Sequence, residues 1–213
     1  IKGEIEMKLT ILGNNGPYPK AGGTCSGYLV EYEDKKVLLD CGNGIFSNLQ
    51  KICDVDDLDA IILSHLHPDH ISDIFILRYA LQFKNQSLNI FAPNEPQEEF
   101  ERLFYKTYNV QAIDEDKSVQ IGKMNFNFKK LKHVLPNYAI SIQIGDRRMV
   151  YSGDTSFTEN LVVFSRNADL LLCEAGVLEK DLPKNPPHLS AKQAAEIAEQ
   201  AGVSRLILTH FYP

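Results

Sequence analysis

Short apolar runs separated by turn-forming residues dominate the first third of the chain. Residues 7–13, 26–32 and 36–40 have the composition of β-strands, and Gly13-Asn14-Asn15-Gly16-Pro17 separates the first run from the second. This arrangement predicts strands joined by Gly-, Asn- and Pro-rich turns. Residues 60–63 are all apolar and are followed by a polar cluster. That pattern is typical of a buried strand whose end carries functional side chains.

Helical patterns lie between the strands. Apolar residues three and four apart, together with capping residues, predict helices over 44–52, 71–83, 95–106, 159–166 and 191–201. Asn94 and Thr158 are the expected N-caps of the third and fourth of these helices. Ser190 and Gln193 form a capping-box pattern for the last helix, which we expect to end at Gly202.

Strands also dominate the second half of the chain. Residues 119–152 are predicted to form a meander, and residues 168–173 and 204–209 two further strands. Strands therefore come in groups with helices between them, and no clear linker divides the chain. We predict one α/β (α+β) domain over residues 1–213, with two sheets at its centre and helices outside them.

Composition excludes several classes of protein. The 213 residues are 44% hydrophobic and 23% charged, which suits a globular core. No apolar run approaches twenty residues and no signal-peptide pattern is present, so we expect a cytoplasmic protein with no membrane partner. The net charge of −6 argues against a surface that coats nucleic acid, although it allows a local basic groove. The four cysteines lack Cys-x-x-Cys spacing, and we expect reduced thiols.

The segment with the clearest chemistry is Ser64-His65-Leu66-His67-Pro68-Asp69-His70. Three histidines and one aspartate follow a buried strand directly, and imidazole and carboxylate suit Zn²⁺ and neighbouring divalent metals. In an extended turn His65 and His67 point the same way and can share one metal. Asp69 and His70 lie past the turn and can reach a second one.

The remaining histidines extend this cluster. His133, His188 and His210 each lie at the end of a predicted strand or at the start of a helix. Asp154 also follows a buried strand, and its two oxygens could bridge two metals. All six histidines of the chain therefore have a place in one site.

The chain resembles the metallo-β-lactamase-fold hydrolases, which share an H-x-H-x-D-H signature. The similarity covers nearly the whole chain and is closest to the branch that contains tRNase Z and its phosphodiesterase relatives. The matching segments are Leu12-Gly13, Leu39-Asp40-Cys41-Gly42, His65 to His70, Ser152-Gly153-Asp154-Thr155, Glu174-Ala175, His188-Leu189-Ser190 and Leu208-Thr209-His210-Phe211. The resemblance implies a four-layer αβ/βα sandwich of two mixed β-sheets with helices on the outer faces.

The resemblance also implies a role for each matched residue. One metal would be held by His65, His67 and His133, and the other by Asp69, His70 and His210, with Asp154 bridging them. Asp40 would orient the ligand loop as a second-shell residue. Glu174 would hydrogen-bond His188, which would stabilise the scissile phosphate or protonate the leaving oxygen. Simpler roles stay open at this point: Asp40 as a turn residue, Glu174 as a surface carboxylate and His188 as a helix-start residue.

These roles imply a binuclear metal-dependent hydrolase. Its cofactors would be two divalent metals, Zn²⁺ before Mn²⁺ or Fe²⁺. A hydroxide bridging them would attack a small or cyclic phosphodiester, and Asp69 would aim that hydroxide. The alternatives are a tRNA 3′-processing endoribonuclease, a lactone or thioester hydrolase, and a metal-binding scaffold without turnover. A homodimer is implied by resemblance alone.

Several departures from tRNase Z make RNA the less favoured substrate. Two predicted strands fill the interval between His133 and Asp154, so the arm that grips tRNA has no room there. Cys173-Glu174-Ala175-Gly176 replaces the family's His-Glu-Ala-Thr, and Pro68 stands where tRNase Z usually has glycine. Asp154 occupies the place of a β-lactamase cysteine ligand, which argues against antibiotic hydrolysis. We interpret Lys123, Lys129, Lys130 and Lys132 as a solvated strand face.

The chain ends give two further expectations. Residues 1–6 would be an expression remnant or a short extension before the first strand. Family members usually continue past the last ligand with a helix and a strand, and we expect this chain, which stops at Pro213, to lack them. Such a loss would weaken metal binding at the second site.

Overall fold

Two six-stranded β-sheets lie at the centre of the molecule. The computed structural model describes residues 6–83 and 87–213, so residues 1–5 of the expected extension lie outside the described residues. The first sheet contains β1 (Lys8–Gly13), β2 (Gly27–Tyr32), β3 (Lys35–Leu39), β4 (Ala60–Ile62), β5 (Leu88–Ala92) and β6 (Tyr108–Ala112), in that spatial order. The first three strands are antiparallel, and β3 to β6 are parallel.

The second sheet likewise begins with antiparallel strands and ends with parallel ones. Its strands are β7 (Ser118–Ile121), β8 (Met124–Leu131), β9 (Asn137–Ile144), β10 (Arg147–Tyr151), β11 (Leu170–Glu174) and β12 (Leu206–Thr209). The spatial order runs from β12 at one edge to β7 at the other. Strands β7 to β10 form an antiparallel meander, and β10 to β12 are parallel. Both sheets are therefore mixed.

Six short helices lie along the described chain. They are α1 (Ile45–Leu49), α2 (Pro68–Ile71), α3 (Ile74–Ala80), α4 (Gln97–Arg102), α5 (Glu159–Phe164) and α6 (Ala191–Ala201). The first four pack on the outer face of the first sheet, and the last two on the outer face of the second. Single 3₁₀ turns occur at Val55–Asp57 and Glu179–Asp181.

Three hydrophobic clusters hold these layers together. The central cluster fills the space between the two sheets and includes Val37, Ile62, Phe126 and Ile140. The other two clusters lie between each sheet and its helices. The interior parallel strands β4 and β11 bury almost all of their residues, as expected for parallel strands covered on both sides. The predicted four-layer sandwich of two mixed sheets is confirmed.

The helix boundaries were only partly predicted. The helix expected over 71–83 is the shorter α3, and a separate helix, α2, precedes it, with Ser72 and Asp73 between the two. The expected cap Asn94 is wrong: Pro96 is the N-cap residue of α4, in an extended conformation that a proline ring favours. Thr158 does cap α5, and Ser190 with Gln193 forms the complete capping box of α6.

Two strands were missed by the sequence interpretation. Strands β5 and β6 extend the parallel part of the first sheet towards its edge. Each strand is only five residues long, and the alternation of polar and apolar residues in β6 is a strand pattern that our interpretation of the sequence did not use. None of the helices in the described ranges is long and apolar enough to cross a membrane.

The packing predicts a large difference between two phenylalanines. Phe126 is fully buried between the sheets, whereas Phe83 is 91% exposed. Phe126→Ala should lower the free energy of unfolding by about 3–5 kcal/mol because it leaves a cavity in the central core. Phe83→Ala, the matched control, should change it by less than about 0.5 kcal/mol. Urea denaturation of both variants measures the difference, and equal losses would contradict the layered core.

Candidate metal centre

The polar clusters of the sequence meet at one edge of the sandwich. Asp40, the His65–His70 turn, Asp154 and His210 follow the carboxyl ends of β3, β4, β10 and β12, respectively. Parallel strands end at the same edge of a sheet, and the two sheets face each other across that edge. All the site residues predicted from the sequence lie together there: Asp40, His65, His67, Asp69, His70, His133, Asp154, Glu174, His188 and His210.

The turn after β4 divides its four donors into two pairs. His67 has extended backbone angles and precedes Pro68, the first residue of α2. Proline suits that position because its missing N–H has no partner in the first turn of a helix. Asp69 and His70 lie within α2, so their side chains leave the backbone in a different direction from those of His65 and His67.

The first donor group consists of three imidazoles and a carboxylate. His67 Nδ1 lies 3.0 Å from His65 Nε2 and 3.2 Å from His133 Nε2. Asp154 Oδ2 lies 3.6 Å from His65 Nε2 and 4.0 Å from His133 Nε2. Pro187 accepts a hydrogen bond of 3.1 Å from the Nδ1–H of His133, which leaves the Nε2 lone pair facing the group.

The second donor group contains two imidazoles and two carboxylates. His210 Nε2 lies 3.2 Å from Asp69 Oδ2 and 3.2 Å from Asp154 Oδ2. His70 Nε2 lies 3.5 Å and 3.4 Å from the same two oxygens. All four residues are buried. This group draws Asp69 and His70 from the first sheet and the other two residues from the second.

Asp154 joins the two groups through one oxygen. Its Oδ2 faces both groups, whereas Oδ1 is buried with no hydrogen-bond partner in the described structure. The sequence led us to expect that the two oxygens of Asp154 bridge two metals, whereas here only Oδ2 faces the donor groups. Asn137 fixes the loop, since its amide oxygen accepts from the Asp154 backbone N–H at 3.3 Å and its amide nitrogen donates to Ser152 O at 3.0 Å.

Asp40 is fully buried behind the second group. Its Oδ2 accepts hydrogen bonds from His70 Nδ1 at 2.7 Å, Ser64 Oγ at 2.8 Å and Tyr151 Oη at 2.6 Å. Its Oδ1 accepts from the Ser64 backbone N–H at 2.7 Å. Asp40 has the positive φ of 55° that a tight turn requires, but it is more than a turn residue. It holds His70 with Nε2 towards the site.

Glu174 and His188 form a hydrogen-bonded pair beside the donor groups. Glu174 Oε1 accepts from His188 Nδ1 at 3.1 Å and from the Thr155 N–H at 2.6 Å. Its Oε2 accepts from the backbone N–H groups of Gly176 and Leu189. Interpretation of Glu174 as a surface carboxylate is wrong, because the residue is fully buried. Because each carboxylate oxygen of Glu174 already accepts two hydrogen bonds, Glu174 is a poor metal ligand, although His188 and His210 lie near it.

Protonation differs between the donor groups. Burial lowers the pKa of His65 well below its usual value, and burial also lowers the pKa of His67 and of His133. These imidazoles are neutral at pH 7 and present free lone pairs. Burial opposes a charge on His70, but Asp154 and Asp40 outweigh it and hold its pKa well above the usual value. A metal in the second group would therefore displace a proton.

The residues present fit divalent metals. Zinc–nitrogen bonds of about 2.0–2.1 Å in a tetrahedral site place neighbouring donor atoms about 3.3 Å apart. Donor separations of 3.0–3.6 Å recur in both groups. His70 Nε2 and Asp154 Oδ1 are buried polar atoms that have no hydrogen-bond partner among the described residues. Such atoms are expected where a ligand binds.

Several supporting residues were missed from the sequence. Ser64, Asn137 and Tyr151 bond directly to site residues or their loops. Each lies at or near one end of a buried strand, but no local pattern in the sequence marks it as a partner of the site. Gly16 was also missed: a Cβ there would lie 1.9 Å from His210 Nε2, so only glycine lets the loop after β1 pack against this ring.

The sequence matches the family described as Beta-lactamase superfamily domain over residues 35–211. The chain belongs to this superfamily. It has the fold of a metallo-hydrolase, and its His/Asp cluster is of the kind that binds divalent metals. The resemblance noted from the sequence is therefore confirmed at the level of family and fold.

One relative is similar along almost the whole chain. The probable metallo-hydrolase YhfI of Bacillus subtilis is 34% identical over 211 residues, which cover 96% of this chain and 86% of that protein. The crystal structure of YhfI superposes with a TM-score of 0.94 at 35% identity, covering 99% of this chain and 88% of that one.

More distant relatives include RNA-processing enzymes. The ribonuclease Z of Archaeoglobus fulgidus is 25% identical over 265 aligned positions, covering 96% of this chain and 87% of that enzyme. The short form of human tRNase Z shares the fold, with a TM-score of 0.80 at 24% identity, covering 96% of this chain and 92% of that one. In the present chain, only β9, β10 and their short connections lie between His133 and Asp154.

The lysines near β8 are mostly paired with carboxylates. Lys123 bonds to Glu33 at 2.6 Å and Lys129 to Glu115 at 2.7 Å. Lys130 lies 3.9 Å from Glu95. These ion pairs fit a solvated strand face better than a phosphate-binding groove.

Asp40→Asn tests the hydrogen-bond arrangement behind the site. An amide cannot accept from all four donors, so we expect a loss of about 2 kcal/mol or more in the free energy of unfolding. Asp73→Asn is the matched control, because Asp73 accepts from the Phe46 N–H at 2.9 Å and an amide oxygen can replace that acceptor. Urea denaturation of the metal-free proteins measures both. A similar loss in the two variants would contradict the special role of Asp40.

Proposed function

We propose that this chain is a binuclear metal-dependent phosphodiesterase that acts on a small or cyclic phosphodiester. The observation that carries the proposal is the pair of donor groups that share Asp154 Oδ2 beside the His188–Glu174 pair. Two adjacent cation sites suit a substrate whose reacting centre is a phosphoryl group with charged oxygens. A proton donor next to them suits an alkoxide leaving group.

The metal ligands follow from the two donor groups. His65, His67 and His133 would hold one divalent ion, and Asp69, His70 and His210 the other, with Asp154 between them. Zn²⁺ is the first choice because imidazole and carboxylate ligands suit it, and Mn²⁺ or Fe²⁺ also accept this set. When bound, the ions supply Lewis acidity that activates the water nucleophile and neutralises phosphoryl charge.

Asp69 and His188 would handle the protons. Burial opposes a charge on Asp69, but its hydrogen bond from His210 and the charge of His70 keep its pKa below the usual value. It therefore remains a carboxylate that can accept a hydrogen bond from the attacking water. Burial likewise opposes a charge on His188, but its hydrogen bond to Glu174 and the Glu174 charge raise its pKa. A protonated His188 can donate to the leaving oxygen.

The size of the substrate follows from what surrounds the site. The described residues between His133 and Asp154 form a tight two-stranded hairpin, and the nearby lysines are paired with carboxylates. This surface therefore offers little that could bind the phosphate backbone of a long RNA. The similarity to ribonuclease Z supports phosphodiester chemistry in general and keeps an endoribonuclease as the second candidate. The implied homodimer and cytoplasmic location stay predictions.

The first test is hydrolysis of bis(p-nitrophenyl) phosphate by protein loaded with Zn²⁺ or Mn²⁺. We expect turnover that a chelator abolishes and that Asp69→Asn lowers by at least about 100-fold, because the variant removes both a proposed metal ligand and the hydrogen-bond acceptor of the nucleophile. Asp59→Asn is the matched control, since Asp59 accepts a hydrogen bond from the Lys36 N–H and lies directly before β4, at the strand end opposite the site.

The outcomes separate the candidate functions. Chelator-sensitive cleavage of a pre-tRNA 3′ trailer with no action on small diesters would favour the endoribonuclease. Two bound metals with turnover only of lactones or thioesters would contradict phosphodiester specificity. Two bound metals with no turnover of any of these substrates would favour a non-catalytic scaffold.

The role of His188 predicts a dependence on the leaving group. His188→Gln should lower kcat by about 100-fold or more for an alkyl phosphodiester, whose leaving oxygen needs a proton. The loss should be much smaller for bis(p-nitrophenyl) phosphate, whose leaving group departs without one. Metal content, measured by mass spectrometry, should match the wild type. Equal losses for both substrates would contradict proton donation by His188.

A further inference from the structure

Two buried tyrosines meet between the sheets beneath the donor groups. Tyr28 on β2 and Tyr151 at the end of β10 are 0% and 1% exposed, and their ring centroids lie 4.9 Å apart. One ring belongs to each sheet. Their hydroxyl groups extend in the direction of the strand ends, where the site residues lie.

Each tyrosine bonds to a residue of the opposite sheet. Tyr151 in the second sheet donates to Asp40, which follows β3 of the first sheet, at 2.6 Å. Tyr28 in the first sheet shares a hydrogen bond of 2.7 Å with Thr209 Oγ1, at the end of β12 of the second sheet. The two hydrogen bonds therefore cross the interface between the sheets in opposite directions.

Both bonds lead most directly to the second donor group, whereas the first group is reached only through Ser64, whose Oγ bonds to Asp40 and lies 3.1 Å from His65 Nδ1. Asp40 holds His70 Nδ1 at 2.7 Å, so Tyr151 acts on His70 through one carboxylate. Thr209 directly precedes His210, whose backbone has a positive φ of 57°. The His70 and His210 rings are stacked with centroids 5.2 Å apart, and they come from different sheets.

We propose that Tyr28 and Tyr151 are positioning residues that fix the second donor group by tying each of its histidine loops to the opposite sheet. The inference rests on the proposed function for the identity of the metal ligands. A donor group assembled from two sheets keeps its spacing only if the sheets keep their relative position. Hydrophobic contacts between sheets are non-directional, whereas two crossed hydrogen bonds fix a direction.

The chemistry of the two hydroxyl groups suits this role. Burial raises the pKa of Tyr28 to about 12, and burial together with Asp40 raises the pKa of Tyr151 well above its usual value. Both side chains stay protonated over the whole physiological range. Residues that orient metal ligands from behind typically change metal affinity by about 10–100-fold when they are removed.

The test measures metal binding to the full chain by titration calorimetry with Zn²⁺ and by metal content at a buffered free Zn²⁺ concentration. Tyr28→Phe and Tyr151→Phe keep the rings and remove only the hydroxyl groups. We expect each variant to bind one of the two ions about tenfold more weakly and the other ion with wild-type affinity. The double variant should bind that same ion more weakly than either single variant does.

Tyr108→Phe is the matched control. Tyr108 is also buried and donates a hydrogen bond of 2.7 Å, but its partner is the Ile74 carbonyl in the outer layer of the first sheet. The Tyr108→Phe variant should lose thermal stability to a degree similar to that of the two test variants, while its affinities for both metal ions stay unchanged. Equal weakening of both ions in the two test variants, or wild-type binding of both ions, would overturn the proposal.

A second measurement on the metal-free protein separates this proposal from the proposed function. Nitrogen chemical shifts of the imidazoles report the hydrogen bonds and protonation of His70 and His210. We expect these shifts to change in Tyr151→Phe and Tyr28→Phe but not in Tyr108→Phe, and unchanged shifts would overturn the proposal. A wild-type chain that binds fewer than two ions would contradict the binuclear function, whatever the imidazole shifts show.

Discussion

The buried carboxylate of Asp40 is the interaction on which the rest of the site depends. It lies out of contact with water and accepts four hydrogen bonds, from the backbone and side chain of Ser64, from His70 and from Tyr151. A buried charge is tolerated only when donors replace the water it has lost. Asp40 itself follows β3, whereas its donors come shortly after β4 (Ser64), from α2 (His70) and from the end of β10 (Tyr151), so stabilising the charge also brings these segments together.

That constraint explains why the site lies at the boundary between the sheets. A single sheet could supply the turn after β4, but both donor groups need residues from the other sheet as well. The central apolar cluster presses the sheets together without fixing the spacing of individual donor atoms. Polar contacts at the strand ends fix that spacing. Gly16 has no side chain, so its backbone can pack directly against the His210 ring.

The sequence predicted the fold and the residues that gather at the site, including the supporting carboxylates Asp40 and Glu174, but not the other side chains that hold them. Clustered histidines after a buried strand are detectable because their spacing is local, and the capping box of α6 is local too. Tyr151 and Asn137 act over contacts that span many residues in sequence, so no local pattern marks them. Asn94 failed as a cap for a related reason: proline at position 96 offers an equally local start, and two local signals cannot be ranked without tertiary context.

The two donor groups differ in ways that matter for metal chemistry. The first consists of three neutral imidazoles and one shared carboxylate, a borderline set that favours Zn²⁺. The second has Asp69 in addition to the shared Asp154, with Asp40 behind it, and is the harder and more anionic set. In the metal-free protein His70 compensates part of that negative charge, since its pKa is raised despite burial. A cation bound in the second group would therefore replace a proton, and such binding would depend on pH more steeply than binding in the first group.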